Sequence, residues 1–485
     1  MVIILIFNLR DNKFKIHNMS EILQDSVEIK KRRVSNYLNT EVKDFALYTI
    51  RTRAMPSIMD GLRVGARKIM WATLTGDLSK KQKVKMPSLT GDVMKLHYNH
   101  GPASLENTIV QLGSKHIFKY APLEIIGQIG VLRAPDSDTA QRYLHVRTTK
   151  YLDLFKFDFD LLTIVEEEGD KIEPKYFLPI IPVVLLWRTN SPGFGFSFKS
   201  FSYKLDDIID NCIKSLHRGS CHIDDEIIPI KPEVYGVKEE NIFFNAARNS
   251  WYNVGEYNMD FETDNLIVTD LPYNVTFENY DNHLQDLIEK GYIKSFIDLS
   301  QDGNIRYIIK FEKNRLKTLS TDKWKFFTNM KLFSKISKDT LNCIDEDGKS
   351  ILFFNTTYEL IDTFVRKRLN FYNERKTITI DNMNKKVKEL DEKIMFIKLV
   401  TEEKLIINKR PIVDIKKDLD KYKLSYTVLN LKIDKLTKEE IEKMEKEIIE
   451  NKKYLEYLKN TTPKEMYIND LIELKDKFSK ITKYE

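Results

Sequence analysis

Cysteine is scarce in this chain: Cys212, Cys221 and Cys343 are the only three among 485 residues, and no CxxC pair is formed. That excludes a disulfide framework and a thiolate metal site, and it fits a reducing, intracellular setting. Long hydrophobic runs are missing too. The apolar stretch at residues 2–7 falls far short of the ~20 residues that span a bilayer. It has no basic region before it and no small-residue cleavage site after it, so neither a membrane anchor nor a secretory signal is expected. Charge of one sign is not in large excess either, because 78 Lys+Arg against 72 Asp+Glu leave a net +6. A whole-chain attraction to a polyanion is therefore excluded, and any nucleic-acid surface has to be a local cluster. There is no internal repeat, no low-complexity tract and no GxxxxGK[ST] phosphate loop.

What is present describes a globular protein. Hydrophobic residues make up 42% and charged residues 31%, and the length allows two to four units of about 100–200 residues each. Four segments are expected: an extension at 1–33, a compact domain at 34–165, an α+β domain at 166–345 and a helical region at 346–485. Residues 21–48 have apolar spacing of helical type, and a second helix is predicted from Val64. Residues 172–186 place Pro174, Pro179 and Pro182 among apolar runs, the mark of a domain junction or an edge strand. Strands are predicted at 265–272 and 305–311, with a short helix at 284–291 between them. Further on, Ile380, Met383, Val387, Leu390, Ile394 and Ile397 recur at steps of three and four, a heptad seam. Ile441, Met444, Ile448, Leu455 and Leu458 repeat it, with Asn451 in an apolar slot. Two long helices around an irregular 405–437 predict an antiparallel coiled-coil arm with a small tip. Residues 437–440 read as a capping box for the return helix.

Three clusters can carry chemistry. Arg51, Arg53, Arg63, Arg67 and Lys68 lie in one short stretch broken by Pro56 and Gly61. It suits a duplex backbone with one charge per roughly 1.7 Å of axis, and equally a solvated helix face. His97 and His100 share the loop before Pro102; they can serve a phosphate or simply the fold. The third cluster is Ala140-Gln-Arg-Tyr143, followed by His145 and Arg147. A tyrosine with pKa near about 10 is a weak nucleophile, and a fixed cation beside it stabilises the phenolate that must develop. An exposed tyrosine without a role is the plain alternative.

Taken in order, these motifs resemble one family, the type II topoisomerases. Residues 55–68 are similar to its "IPSLVDGLKPGQRK" signature, and Tyr98-Asn-His-Gly101 with Ser104-Leu and Thr108-Ile-Val to its "YHHG…SL…TIV". Ile126-Gly-Gln-Ile-Gly130 resembles "PIGQFG", Ala140-Gln-Arg-Tyr143 the "AARY" of the nucleophile, residues 172–182 "VEPEWYLPIIP", and 267–272 "ITELP". The likeness spans about residues 34–475 and is to the cleavage half: the A chain of gyrase, the phage medium subunit, or the C-terminal half of the eukaryotic enzymes.

The resemblance implies an α+β multidomain fold: a winged-helix cleavage domain, an α/β tower, and a long antiparallel coiled-coil arm with a C-gate tip. It implies Tyr143 as the nucleophile flanked by Arg142, with Arg53, Arg67 and His100 at the scissile phosphate. Arg63, Lys68 and Arg147 would bind DNA, and Phe194 would stand where the family has an isoleucine wedge. Departures exist: Ala66 and Arg63 replace a polar residue and a lysine, and residues 187–194 replace a more glycine-rich loop. Asp158, Asp160, Glu168 and Asp170 imitate the family's metal-binding carboxylates in reversed order, and read as solvated acidic turns. No metal ligands are therefore assigned; Mg2+ and ATP are expected on an ATPase/toprim partner subunit, with duplex DNA and a second copy of this chain as further partners. The expected activity is relaxation or decatenation without supercoiling, because the sequence given has no room for a wrapping domain after residue 474. A cytoplasmic site, or the compartment where a virus replicates its DNA, is expected. The rivals are a catalytically silent scaffold of the same fold, against which Arg142-Tyr143 and His100 speak, and a tyrosine recombinase, which would carry neither residues 179–182 nor the arm.

Overall fold

The computed structural model describes residues 5–7, 14–16, 33–79, 81–115, 117–131, 134, 139–192, 195–221, 229–234, 236–301, 304–336, 339–407, 410–430 and 438–479. The chain divides into two compact units, Met1–Ile50 and Arg51–Glu485. In the first, strands Leu5–Phe7 and Phe14–Ile16 pair antiparallel, and helices Val34–Tyr37 and Lys43–Thr49 flank the π-helical turn Leu38–Val42.

The second unit opens with a helical domain carrying a small sheet. Helix α1 (Val64–Thr75) buries Ala66, Ile69, Met70 and Ala72. Strand β1 (Val84–Lys85) leads into α2 (Met86–Met94), which has a proline in its first turn, where no N–H is missed. Helix α3 (Pro102–Gly113) also starts on proline and buries Leu105, Ile109, Val110 and Leu112, a stripe at helical spacing. Strands β2 (Leu123–Ile126) and β3 (His145–Thr148) complete an antiparallel sheet with β3 in the centre.

A hairpin follows. Strand β4 (Ile164–Glu167) and β5 (Asp170–Pro174) are joined by Glu168 and Gly169, both at positive φ, as a two-residue turn requires. The prolines at 172–186 do mark a sheet edge at first, but the chain then runs inward. Phe177, Leu178, Ile180, Ile181 and Val183 to Trp187 are all buried, so this segment is a spine of the core and not a surface linker. Gly61 docks on it: φ is +69°, and a Cβ there would lie 2.6 Å from the Val184 nitrogen.

Helix α4 (Leu205–Arg218) precedes an antiparallel region. Strands β6 (Ile242–Asn245) and β7 (Ser250–Val254) pair with each other and β7 with a later strand, while β8 (Tyr257–Asp260) and β9 (Asn265–Val268) begin a four-stranded sheet. The helix predicted at 284–291 starts earlier, as α5 (Phe277–Glu289), because the Thr276 hydroxyl caps it by accepting from Asn279 N. Strands β10 (Ser295–Asp298) and β11 (Tyr307–Lys310) finish the four-stranded sheet, in the order β8-β9-β11-β10, and β12 (Phe333–Lys335) finishes the three-stranded one. Tyr280, Leu284, Leu266, Tyr307, Ile309 and Phe326 are among the residues of the shared core. Strand β13 (Leu341–Ile344) pairs with β14 (Ile351–Phe354) and also exchanges hydrogen bonds with Pro56 and Ile58, anchoring the basic segment before α1.

Helix α6 (Thr357–Thr401) is 45 residues long. Thr356 caps it, and Glu359 reaches back to Asn355 N. Its seam residues Val387, Leu390, Ile394 and Ile397 pack against Met444, Ile448 and Leu455 of α8 (Lys438–Asn460), flanked by Ile380, Met383 and Ile441. The two run antiparallel: Lys376 donates to the carbonyls of Lys459 and Thr461 at one end, and Lys398 pairs with Glu445 at the other. Leu458 is buried as predicted, and so is Asn451, whose Nδ2 has no partner among the described residues. The stretch read as irregular contains α7 (Ile412–Lys421), which joins Phe396, Leu399, Leu405 and Leu424 in a separate apolar tip. The capping box at Thr437 lies outside the described residues. Helix α9 (Pro463–Ser479) returns to the spine, where the Tyr467 hydroxyl donates to Ile180 O at 2.7 Å.

The reading of Asp158 as a solvated turn is corrected. Its carboxylate is buried and pairs with Arg368, a fully buried side chain of α6 that also donates Nε to Pro179 O, and with Arg375 at 3.2 Å. A buried arginine needs such a partner. Glu168 and Asp170 do sit in an exposed turn.

Candidate active site

Tyr143 closes a short 3-10 turn, Gln141–Tyr143, directly before β3. The backbone on its far side is fixed: Leu144 is buried, and its carbonyl accepts from Met86 N at the start of α2. Gly127, at φ +135°, gives Leu144 its seat, since a Cβ there would lie 2.5 Å from Leu144 Cδ2. On the near side, Gln141 donates from Nε2 to Asn107 Oδ1 of α3. The tyrosine is thus held through its neighbours while its own side of the turn faces solvent, 64% exposed. Arg142 lies over it, with the guanidinium carbon 4.6 Å from the ring centroid and Nη2 donating to Oη at 3.3 Å. A phenolate formed at Oη would meet a cation already in place.

His100 is exposed on the loop between α2 and α3, the helix pair on which the Tyr143 turn rests, and its ring meets Tyr98 edge-on at 5.3 Å. Arg53 is exposed. Arg63, just before α1, is largely covered, and burial lowers its guanidinium pKa against the opposing pull of Tyr98. Arg147 is exposed but spends Nε and Nη2 on Glu124, at 2.7 and 2.9 Å, and those bonds hold the Glu124 carboxyl below its usual range.

Two of the residues expected at phosphates, Arg67 and Lys68, are buried and ion-paired within the protein. Arg67 is buried and donates Nε and Nη2 to Asp60 at 2.7 and 3.0 Å and Nη2 to Leu62 O. Asp60 also accepts from Leu62 N and Phe177 N, so this pair locks the Gly61 turn to the spine. Lys68 is buried as well, bound to Glu173 at 2.7 Å and Leu96 O at 2.5 Å. On the interior face of α1 both cations are engaged by carboxylates of the protein itself. Phe194 lies outside the described residues. Asp60 and Asn107 are not among the residues the sequence singles out. Asp60 stands inside a family-like motif, whereas nothing in the order of residues points to Asn107.

Among the described residues, no group of three or more His, Cys, Asp or Glu side chains could hold a metal ion, and no helix is long and apolar enough to cross a membrane.

Residues 53–475 match the family of the DNA gyrase/topoisomerase IV A chain. The chain belongs to that family. Its relatives include the mitochondrial DNA topoisomerase 2 of Dictyostelium discoideum, 27% identical over 98% of this chain and 37% of that protein. DNA topoisomerase 2 of Acanthamoeba polyphaga mimivirus is 25% identical over 91% of this chain and 41% of its own length. The chain therefore spans about two fifths of these two curated relatives. Its fold is that of the crystal structure of the Plasmodium falciparum topoisomerase II DNA-binding, cleavage and re-ligation domain, with a TM-score of 0.77 at 24% identity, over 93% of this chain and 66% of that one.

Proposed function

We propose that this chain breaks and rejoins duplex DNA as part of a type II topoisomerase, with Tyr143 as the nucleophile. The observation that carries the reading is the solvent-facing Tyr143 hydroxyl with the Arg142 guanidinium directly on it. In the reaction, Tyr143 Oη loses its proton and attacks a backbone phosphorus, the bond from phosphorus to the 3′ oxygen breaks, and that oxygen takes up a proton, giving a 5′-phosphotyrosine and a free 3′ hydroxyl. One phosphodiester replaces another, so religation is the same step reversed. Arg142 stabilises first the phenolate and then the charge of the phosphorane-like transition state. His100 and the exposed Arg53 are assigned to the flanking phosphates, and Arg63 to the DNA path.

In this reading residues 34–165 are the winged-helix cleavage domain, 166–345 the tower, and 346–485 the coiled-coil arm, with the α6–α8 pair, and the C-gate. Ile406, Ile412 and Val413 are exposed at its tip, apolar surface that a second copy of the chain would cover. Two protomers would then cut opposite strands. Mg2+ and ATP are assigned to a partner protein, and no step here is routed through either.

The test is to trap the covalent adduct on end-labelled duplex with the complex co-purified from cells, then digest and map the labelled peptide. The expected result is label on Tyr143, absent in Tyr143→Phe, with duplex affinity within about twofold because phosphate contacts elsewhere carry binding. Undiminished adduct in Tyr143→Phe sinks the assignment, and binding with no adduct from any variant favours the silent scaffold.

A further inference from the structure

His97 holds φ at +54°, a left-handed conformation that disfavours residues with a Cβ. Its Nε2 lies 3.0 Å from Oδ2 of Asp170, the first residue of β5. One residue earlier, the Leu96 carbonyl accepts from Lys68 Nζ, and Lys68 is ion-paired inside the protein with Glu173 of the same strand. Two consecutive residues are thus fastened to one hairpin, one tie buried and one at the surface. The next residue, Tyr98, meets the His100 ring and packs over Gly65 of α1, where a Cβ would stand 3.5 Å from its ring.

Resting on the reading of Tyr143 as nucleophile, we propose that His97 and Asp170 are a positioning pair that sets the 97–101 loop, and so His100, against the scissile phosphate. Asp170 is 74% exposed in its side chain. Screened pairs of this kind contribute little to overall stability, so this one matters for geometry more than for folding. Lys68 with Glu173 fixes where the loop leaves α2; His97 with Asp170 fixes how it turns toward His100. Alignment is where small displacements are costly, since about 1 Å of misplacement can lower a rate up to a hundredfold. The left-handed backbone at His97 is held because the ring must reach the hairpin while the chain turns back to α3.

The test measures single-turnover adduct formation and duplex affinity in the co-purified complex. His97→Gly keeps the backbone conformation and removes the ring, and Asp170→Ala removes the acceptor from an exposed turn. Each is expected to slow adduct formation about fivefold, the size of one surface tether, with affinity and melting temperature unchanged. The double variant should be no slower than either single one. His97→Gln carries its amide N–H near the place of Nε2, so it should restore most of the rate. Wild-type rates in both single variants, or independent losses that multiply in the double, overturn the pair while leaving Tyr143 in place. Adduct that survives Tyr143→Phe overturns the nucleophile and this pair together.

Discussion

Arg67 and Arg142 stand in motifs that resemble the same family, and each sits against a group it can pair with. Arg67 is buried on the inner face of α1 and grips Asp60 with two bonds, which places the Gly61 turn on the spine. Arg142 is exposed, and its hydrogen bond goes to the neighbouring Tyr143 at 3.3 Å. The buried pair gains attraction from low dielectric surroundings and loses hydration, and what it supplies is a fixed geometry. The exposed one keeps a charge available to a substrate. On the proposed function, burial, more than residue type, therefore separates the frame of the site from its chemistry.

That separation breaks first at the frame. Arg67→Ala leaves the Asp60 carboxylate buried without its cation, and the expected loss is about 3–5 kcal/mol of stability, a large part of the roughly 5–15 kcal/mol typical of a domain. Thermal and urea unfolding should both show it, and a melting temperature equal to wild type would return Arg67 to the candidates for phosphate contact. Arg142→Ala is the mirror image: unchanged unfolding, with adduct formation slowed about 10²–10³-fold, as for loss of one transition-state donor. If Arg142→Ala instead lowers stability and spares cleavage, the division between frame and chemistry is wrong.

The exposed half of the proposed site is legible in the sequence and the buried half is obscure. Tyr143, Arg142 and His100 are short-range patterns, readable in place. The arm is readable for another local reason, the regular return of Val387, Leu390, Ile394 and Ile397 that α6 buries against α8. The burial of Arg67 and Lys68 is missed when charge is weighed ahead of context, although Ala66, Ile69 and Met70 around them form an apolar run that α1 turns inward. Asp158 cannot be found this way, since its partner Arg368 stands 210 residues further on. The tie between Gln141 and Asn107 spans 34 residues and joins two elements whose packing no local pattern encodes.

The smallest expected effect sharpens the comparison, because it concerns a part-buried carboxylate with no arginine. Asp339 accepts from Phe201 N at 3.1 Å and from the Tyr203 hydroxyl. Burial pushes its pKa up to about 6, against the opposing effect of those donors and of Lys199. In the unfolded chain an aspartate titrates near about 3.9. Between these values the native state binds the proton and the unfolded state does not. This group's contribution is therefore fully present below about pH 4 and is lost as pH rises through 6, on the order of 3 kcal/mol in all, of which about 2 kcal/mol falls between about pH 4.5 and 7.5. Asp339→Asn keeps an acceptor for Phe201 N and offers Tyr203 an N–H, with nothing to titrate. Urea midpoints from about pH 4.5 to 7.5 should fall more steeply in wild type than in Asp339→Asn, by that amount. Parallel profiles would mean that Asp339 stays charged when buried, and that a guanidinium is not what distinguishes Asp60 from it.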